Sequence, residues 1–114
     1  LAMDQAAIKK CVKKWQKRLN LTHWRIELEF CQIDGSCATC AAEPEYLQAK
    51  LQFNTDSDTD EATVIHELLH CYTHGLAHIA ELLAGTDEKL KEMVRIEEER
   101  LTTNLEKLFT KDLA

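Results

Sequence analysis

The chain has 114 residues, a formal net charge of −6 and a pI near 5.3. This length suits one domain, residues 1–114, with a single core and no separate substrate-binding lobe, so we expect any active site to be an open groove. The acidic balance argues against nucleic acid or an anionic membrane as a partner, because both require clustered positive charge. No apolar run is long enough to span a bilayer and no signal peptide is recognised, which predicts a cytoplasmic protein.

The first predicted element is an amphipathic helix that begins after Asp4 and ends near Leu19. Its apolar residues recur at three and four positions: Ile8, Cys11, Val12, Trp15 and Leu19. The basic residues of the same segment lie outside this face: Lys9, Lys10, Lys13, Lys14, Lys17 and Arg18. A solvated helix face explains this basic cluster better than a binding surface does.

Three short strands are predicted after this helix. Residues 23–30 alternate apolar and polar side chains, which is typical of a strand with one buried face. A turn leads to a weaker strand over 36–42, and a second turn at 43–45 leads to a clear strand over 46–53. The core-facing residues of the first strand are predicted to be Trp24, Ile26, Leu28 and Phe30. Those of the third strand are predicted to be Leu47, Ala49, Leu51 and Phe53.

The stretch His66-Glu67-Leu68-Leu69-His70 carries the most specific chemical signal in the sequence. Histidines four residues apart lie on one face of a helix and form a pair of zinc ligands. In the zincin peptidases, whose motif this stretch resembles, the glutamate between the histidines acts as a general base towards zinc-bound water. The motif therefore predicts Zn²⁺ and a hydrolytic reaction, not a metal alone.

One uninterrupted helix is predicted around this motif; it reaches about Leu83, and Gly85 is its expected stop. Ser57, Asp58 and Thr59 are its candidate N-caps, and Glu61 stands in capping-box register with Asp58. The apolar residues predicted to pack against a sheet are Val64, Ile65, Leu68 and Leu69.

A last helix is predicted from about Asp87 to Phe109, with Thr86 as its cap. Its apolar stripe consists of Leu90, Val94, Leu101, Leu105 and Leu108. The order of elements is then helix, three short strands, helix and helix, which is an α+β layer arrangement.

Two histidines leave the ligand set incomplete, because catalytic zinc has three protein ligands and one open position. Glu97, Glu98 and Glu99 on the last helix are the candidates. Glu99 lies opposite the apolar stripe and is favoured if that stripe is buried, whereas Glu97 or Glu98 is better placed if the stripe packs on the motif helix. His74 and His78 continue the four-residue spacing, but His74 is expected to aim past the metal.

The motif and the glutamates of the last helix together resemble the thermolysin-like gluzincins. In that family the ligand glutamate lies in Asn-Glu-x-x-Ser-Asp followed by apolar residues, and residues 98–105, Glu-Glu-Arg-Leu-Thr-Thr-Asn-Leu, are similar to this pattern. The resemblance implies Glu99 as the third zinc ligand. Glu98 and Thr103 depart from the family pattern.

A looser resemblance covers most of the chain. Residues 21–26, 46–51 and 64–70 are similar to the small zincin-like metallopeptidases of bacterial and phage genomes, which are also called minigluzincins. This resemblance implies a minimal zincin-like α+β fold. Such a fold has an N-terminal helix, a small, largely antiparallel three-stranded sheet, the HExxH helix and a C-terminal helix that carries the glutamate.

The same resemblance implies a zinc metalloendopeptidase that acts on a peptide or protein substrate. Glu67 would take a proton from zinc-activated water and pass it to the leaving amine. The candidates for stabilising the oxyanion are Tyr46, His74 and His78. In zincins the substrate adds as an antiparallel strand to the edge strand before the motif helix, which assigns this role to residues 46–53.

Two other classes of function remain open: a zinc-binding protein without proteolytic activity, in a regulatory or structural role, and a helical interaction module without metal. A metzincin is disfavoured, because Leu76 stands where that class has its third histidine. Gly85-Thr86-Asp87-Glu88 resembles the aspzincin motif only weakly. The five cysteines are an odd number and indicate reduced thiols, and the single pair Cys37 and Cys40 lacks the second pair that a zinc finger needs.

Overall fold

A computed structural model describes residues 3–111 of the chain. Its helices are α1 (Gln5–Arg18), α2 (Glu61–Ala84) and α3 (Glu88–Thr110). Its strands are β1 (Arg25–Cys31), β2 (Ala38–Glu43) and β3 (Gln48–Asn54), with a 3-10 turn at Pro44–Tyr46. The protein is therefore α+β, in the predicted order of elements. None of the helices in the described part of the chain could cross a membrane.

The three strands form a mixed sheet in the order β1-β3-β2. β1 runs parallel to β3 and β2 runs antiparallel to it, so the expectation of a largely antiparallel sheet is wrong. β3 is the central strand, and the prediction that it offers a free edge to substrate is also wrong. A central position suits β3 because Ala49, Leu51 and Phe53 make it the most deeply buried strand of the sheet. The open edges belong to β1 and β2.

The two faces of the sheet differ in chemistry. On the outer face, Gln52 donates to Glu29 at 2.8 Å and accepts from Thr39 at 3.0 Å, which links all three strands across their register. The inner face packs on α1 and α2. The core on that side comprises Ile8, Cys11, Val12, Trp15, Leu19, Leu21, Trp24, Ala42, Ala49, Leu51, Phe53, Val64, Ile65, Leu68, Leu69 and Cys71. The apolar face predicted for the motif helix is therefore confirmed.

The N-caps of α2 and α3 lie one to three residues later than predicted. Asp60, not Ser57, Asp58 or Thr59, is the N-cap of α2, and its Oδ1 accepts from the Thr63 N–H at 2.8 Å. Asp87, not Thr86, caps α3. An aspartate side chain reaches the free N–H groups of the first turn, and in both cases the residue directly before the helix supplies it. Asp4 caps α1 as predicted.

Four apolar residues that were predicted to be buried are exposed. Leu47 has a left-handed backbone (φ 51°) and is 43% exposed, because its N–H closes the 3-10 turn onto Pro44 and the strand begins only afterwards. In α3, Leu90, Leu101 and Leu108 are exposed, although they belong to the predicted stripe. The side chain that α3 buries completely is that of a threonine, Thr102.

Candidate metal centre

The two motif histidines of α2 face one carboxylate of α3. Glu99 Oε1 lies 2.6 Å from His66 Nε2, and Glu99 Oε2 lies 3.5 Å from His70 Nε2. One ligand atom from each of these three residues lies within 4.8 Å of the other two. Of the three glutamates left open by the sequence, Glu99 is thus the one whose carboxylate reaches both Nε2 atoms.

The other two candidates occupy different positions. Glu98 lies on the far side of a histidine ring, with Oε2 at 2.8 Å from His70 Nδ1, and its side chain is 13% exposed. Glu97 points to solvent and pairs with Arg100 at 3.2 Å. Consecutive helix residues differ in direction by about 100°, so only one of the three can meet both rings.

A second glutamate lies behind His66. Glu106 Oε1 is 3.2 Å from His66 Nδ1, and the Glu106 side chain is 22% exposed. Each imidazole therefore has its Nε2 towards Glu99 and its Nδ1 towards a further carboxylate of α3. A carboxylate on Nδ1 fixes the orientation of a ligating histidine, selects the tautomer that leaves Nε2 free, and raises its basicity.

A buried hydroxyl pair anchors Glu98. The Thr73 hydroxyl donates to Glu98 Oε2 at 3.1 Å and lies 3.0 Å from the Thr102 hydroxyl. Thr102 in turn donates to the Glu98 carbonyl at 2.8 Å. Both threonines are buried, so these hydrogen bonds are shielded from water and hold α3 on α2 at the level of His70.

Glu67, the proposed base, is 8% exposed and lies between the two histidines along α2. Burial raises the pKa of its carboxyl above the ordinary value, and the neighbouring His70 and His66 side chains oppose that rise. A carboxylate whose pKa is raised is a better proton acceptor for water than an exposed glutamate.

A cavity of about 390 Å³ opens beside these groups. It is lined by Ser36, Ala38, Thr39, Cys40, His66, Glu67, His70, His74, Glu98 and Glu99. The first four of these residues belong to β2 and to the segment before it. The edge strand that borders the candidate site is therefore β2, where the sequence had indicated β3.

The three candidates for oxyanion stabilisation differ in position. His74 lines the cavity, is 40% exposed and has its Nδ1 3.7 Å from Glu98 Oε2. His78 is exposed and stacks on His74, with ring centroids 6.4 Å apart. Tyr46 is 69% exposed and does not line the cavity. His74 is thus the candidate that remains at the site.

The five cysteines are free thiols. Cys37 is exposed whereas Cys40 lines the cavity, so the two do not converge on one point. A side-chain hydrogen bond with Cys71, followed by burial, raises the pKa of the Cys40 thiol. A thiol in that state is a poor nucleophile and a poor metal ligand.

The donor set fits a zinc ion. Two imidazoles and one carboxylate are a common ligand set for catalytic zinc, with the fourth position open. The contact of 2.6 Å between His66 Nε2 and Glu99 Oε1 is a direct hydrogen bond, whereas ligand atoms around tetrahedral zinc are roughly 3.3 Å apart. The Glu99 side chain is 59% exposed, so it can move outwards by that difference without disturbing the core.

Sequence reasoning missed Glu106 and the two buried threonines. Glu98, Thr102 and Glu106 follow one another at four-residue intervals and form one polar line along α3. The four-residue spacing is visible in the sequence, but polar residues at this spacing also occur on a solvent-exposed helix face. The line became recognisable only because Thr102 is buried against Thr73 of α2.

Comparisons of this chain with protein-family models, with curated proteins and with solved structures found no match.

Proposed function

We propose that this protein is a zinc metallopeptidase of the minimal zincin-like type. The observation that supports this proposal is the convergence of His66, His70 and Glu99 beside the buried carboxylate of Glu67. A helix with histidines four apart explains two ligands by itself. A hydrolytic site also requires a third ligand, which here comes from another helix, and a general base that lines the same cavity.

Each residue of the candidate site has its own role in the proposed hydrolysis. His66, His70 and Glu99 would hold a zinc ion, which when bound would supply a Lewis acid that lowers the pKa of water and polarises a peptide carbonyl. The Glu67 carboxylate takes the proton of the attacking water and then donates it to the leaving amine nitrogen. His74 is close enough to the cavity to donate a hydrogen bond to the carbonyl oxygen as negative charge develops there.

Glu98 and Glu106 act as positioning residues in this proposal. They hold the two imidazole rings through Nδ1, at 2.8 and 3.2 Å, so that each Nε2 keeps a lone pair for the ion. Both carboxylates come from α3, as does Glu99. The packing of α3 on α2 therefore determines the geometry of the ligand set.

The substrate proposed is an extended peptide that pairs with the free edge of β2. β2 pairs with β3 on one side, and Ala38 and Cys40 of β2 line the cavity beside Glu67. Backbone hydrogen bonds to an edge strand bind a peptide with little dependence on its sequence. The cavity is open and small, which favours loose specificity.

The test is peptide hydrolysis by the zinc-loaded protein beside its Glu67→Gln variant. Quenched fluorescent peptides of mixed sequence and an unfolded protein serve as substrates. The wild-type protein should cleave them, and Glu67→Gln should retain zinc while the rate falls by on the order of 10² to 10⁴. Glu97→Gln is the matched control, because Glu97 lies on α3 but points away from the histidines.

Two results would count against the proposal. Equal rates for the wild-type protein and Glu67→Gln would exclude Glu67 as the base. A wild-type protein that carries zinc and cleaves none of the substrates would favour the alternative of a non-proteolytic zinc protein.

A further inference from the structure

A second and larger concavity lies between α2 and α3. It has a volume of about 740 Å³ and is lined mainly by apolar side chains. The residues of α2 that line it include Leu76, Ala80 and Leu83, and those of α3 include Leu90 and Leu101. We call this concavity the hairpin groove. It shares Glu98 with the candidate metal centre but contains none of the three ligands.

The hairpin groove exposes large apolar side chains to water. Leu83 is 84% exposed, Leu76 is 70% exposed and Met93 is 54% exposed. Scattered apolar residues are normal on a protein surface, but a contiguous apolar patch marks an interaction site. α2 covers only part of the stripe predicted for α3, and nothing else in the described part of the chain covers the rest.

Both helices of the groove carry apolar residues at intervals that fit a seven-residue repeat. Leu76, Ala80 and Leu83 on α2 stand four and three residues apart, and Leu90, Val94 and Leu101 on α3 stand four and seven apart. Residues at these intervals form the seam through which helices pack in bundles. An occupant that fits must itself present apolar residues at three- and four-residue intervals.

We propose that the hairpin groove binds the hairpin groove of a second copy of this chain. A two-fold axis would bring the α2–α3 hairpins of two protomers together as a four-helix bundle. Helices pack in a bundle when large side chains of one helix fit beside small side chains of the next. The groove has both, because large leucines stand beside small alanines. Leu76 and Leu83 of one copy would fill the space above Ala80 and its neighbouring alanines in the other.

The area available agrees with a dimer. A standard interface buries roughly 800 Å² on each partner, and somewhat more than half of that area is apolar. The exposed fractions of Leu76, Leu83, Leu90, Met93 and Leu101 correspond to apolar surface on the order of 500 Å². Burial of the whole exposed surface of these five side chains, on the groove walls and on its rim, would therefore supply the apolar share of one side of such an interface.

The charges beside the groove are also compatible with self-association. The chain as a whole is acidic, but lysine and arginine residues lie among the glutamates of this part of α3. Glu88 pairs with Lys91, Glu92 pairs with Arg95 and Glu97 pairs with Arg100, at 3.6, 3.7 and 3.2 Å. Two such surfaces do not repel each other, whereas two uniformly acidic surfaces would.

Sedimentation velocity over a range of protein concentrations tests this proposal. The wild-type protein should sediment as a dimer with twice the protomer mass of 13.1 kDa. Leu83→Glu should weaken the dimer by about 100-fold, because it introduces an unpaired charge among the apolar side chains of the interface. The measurement is made in chelator, so that its outcome does not depend on the proposed zinc site.

The matched control is Leu82→Glu, which changes the neighbouring residue on the same helix. Leu82 is 68% exposed but does not line the groove, so this variant should remain dimeric. Leu76→Glu serves as a second interface variant, and circular dichroism of each protein verifies the fold. A wild-type protein that is monomeric at every concentration would overturn the proposal, and so would a dimer that Leu83→Glu and Leu76→Glu leave intact.

Discussion

Glu106 lies 3.2 Å from the Nδ1 atom of His66, on the opposite side of the ring from Nε2, which faces Glu99 at 2.6 Å. The two glutamates are seven residues apart on α3, which is two helical turns, so one helix reaches both sides of one imidazole. His70 has the same arrangement, with Glu98 behind it and Glu99 in front. The orientation of both motif histidines therefore depends on α3.

Removal of Glu106 should weaken zinc binding without unfolding the protein. We expect Glu106→Ala to lower zinc affinity by about 10- to 100-fold, because His66 loses the acceptor that fixes its ring. Glu106→Gln should lower the zinc affinity less, since the amide oxygen can still accept a hydrogen bond from His66 Nδ1. Competition with a chromophoric chelator measures the affinity. Glu97→Ala is the control and should bind zinc as the wild type does; equal affinities for Glu106→Ala and this control would contradict the role given to Glu106.

The buried hydroxyl of Thr102 should contribute to stability. Thr102→Val keeps the shape of the side chain but removes the hydrogen bond to the Glu98 carbonyl and the contact with the Thr73 hydroxyl, at a cost of about 1 kcal/mol. Urea denaturation of the metal-free protein measures this loss. Thr103→Val is the matched control on the next, half-buried position and should change the free energy of unfolding by less than about 0.5 kcal/mol.

The structure and the sequence pattern place the N-cap of α2 at different residues. Asp60→Ala should destabilise the protein by about 1 kcal/mol, because the first-turn N–H of Thr63 loses its acceptor. Asp58→Ala removes the cap that the capping-box pattern indicated and should have almost no effect. Thermal unfolding of both variants decides between them, and a larger loss for Asp58→Ala would show that the helix begins earlier.

An ion pair between α1 and α2 should make stability depend on pH. Glu61 accepts from Lys14 at 2.7 Å and from the Trp15 indole at 2.5 Å, and these hydrogen bonds lower the pKa of its carboxyl. The pKa of Glu61 is lower in the folded state than in the unfolded state, where it is near 4.5. The ionised carboxylate therefore stabilises the fold at pH values above 4.5, and this contribution is lost as the pH falls through the folded-state pKa.

Glu61→Gln should therefore cost about 1 kcal/mol at pH 7, and the difference from wild type should shrink as the pH is lowered towards 3. Urea denaturation at several pH values measures this difference. Glu45→Gln, at an exposed position, is the control. A cost for Glu61→Gln that stays constant from pH 7 to pH 3 would mean that the carboxylate charge does not matter to the contact.

Local patterns in the sequence predicted the elements, whereas the relations between them required the structure. The alternation of residues 46–53 indicates a strand, and Ala49, Leu51 and Phe53 are buried as expected. Alternation does not say which strand lies in the centre, because pairing depends on contacts between distant segments. The edge was therefore assigned to β3, although it belongs to β2.

The residues of the candidate site were likewise predictable only where they depend on a local pattern. His66, Glu67 and His70 could be singled out because their spacing on one helix is local. Glu99 was favoured on the condition that the apolar stripe of α3 is buried, and the structure shows a partly exposed stripe instead. Glu99 reaches the histidines because α3 meets α2 through a polar line that includes Glu98 and Thr102, and no local pattern distinguishes such a line from a solvated face.

Zinc content is the measurement that tests the central claim most directly. Elemental analysis after dialysis against metal-free buffer should find about one zinc per chain in the wild-type protein and in Glu97→Ala. Glu99→Ala should have lost or weakened zinc binding while it keeps the fold. A wild-type protein that carries no zinc and takes up none on titration would contradict the account, and so would full zinc occupancy in Glu99→Ala.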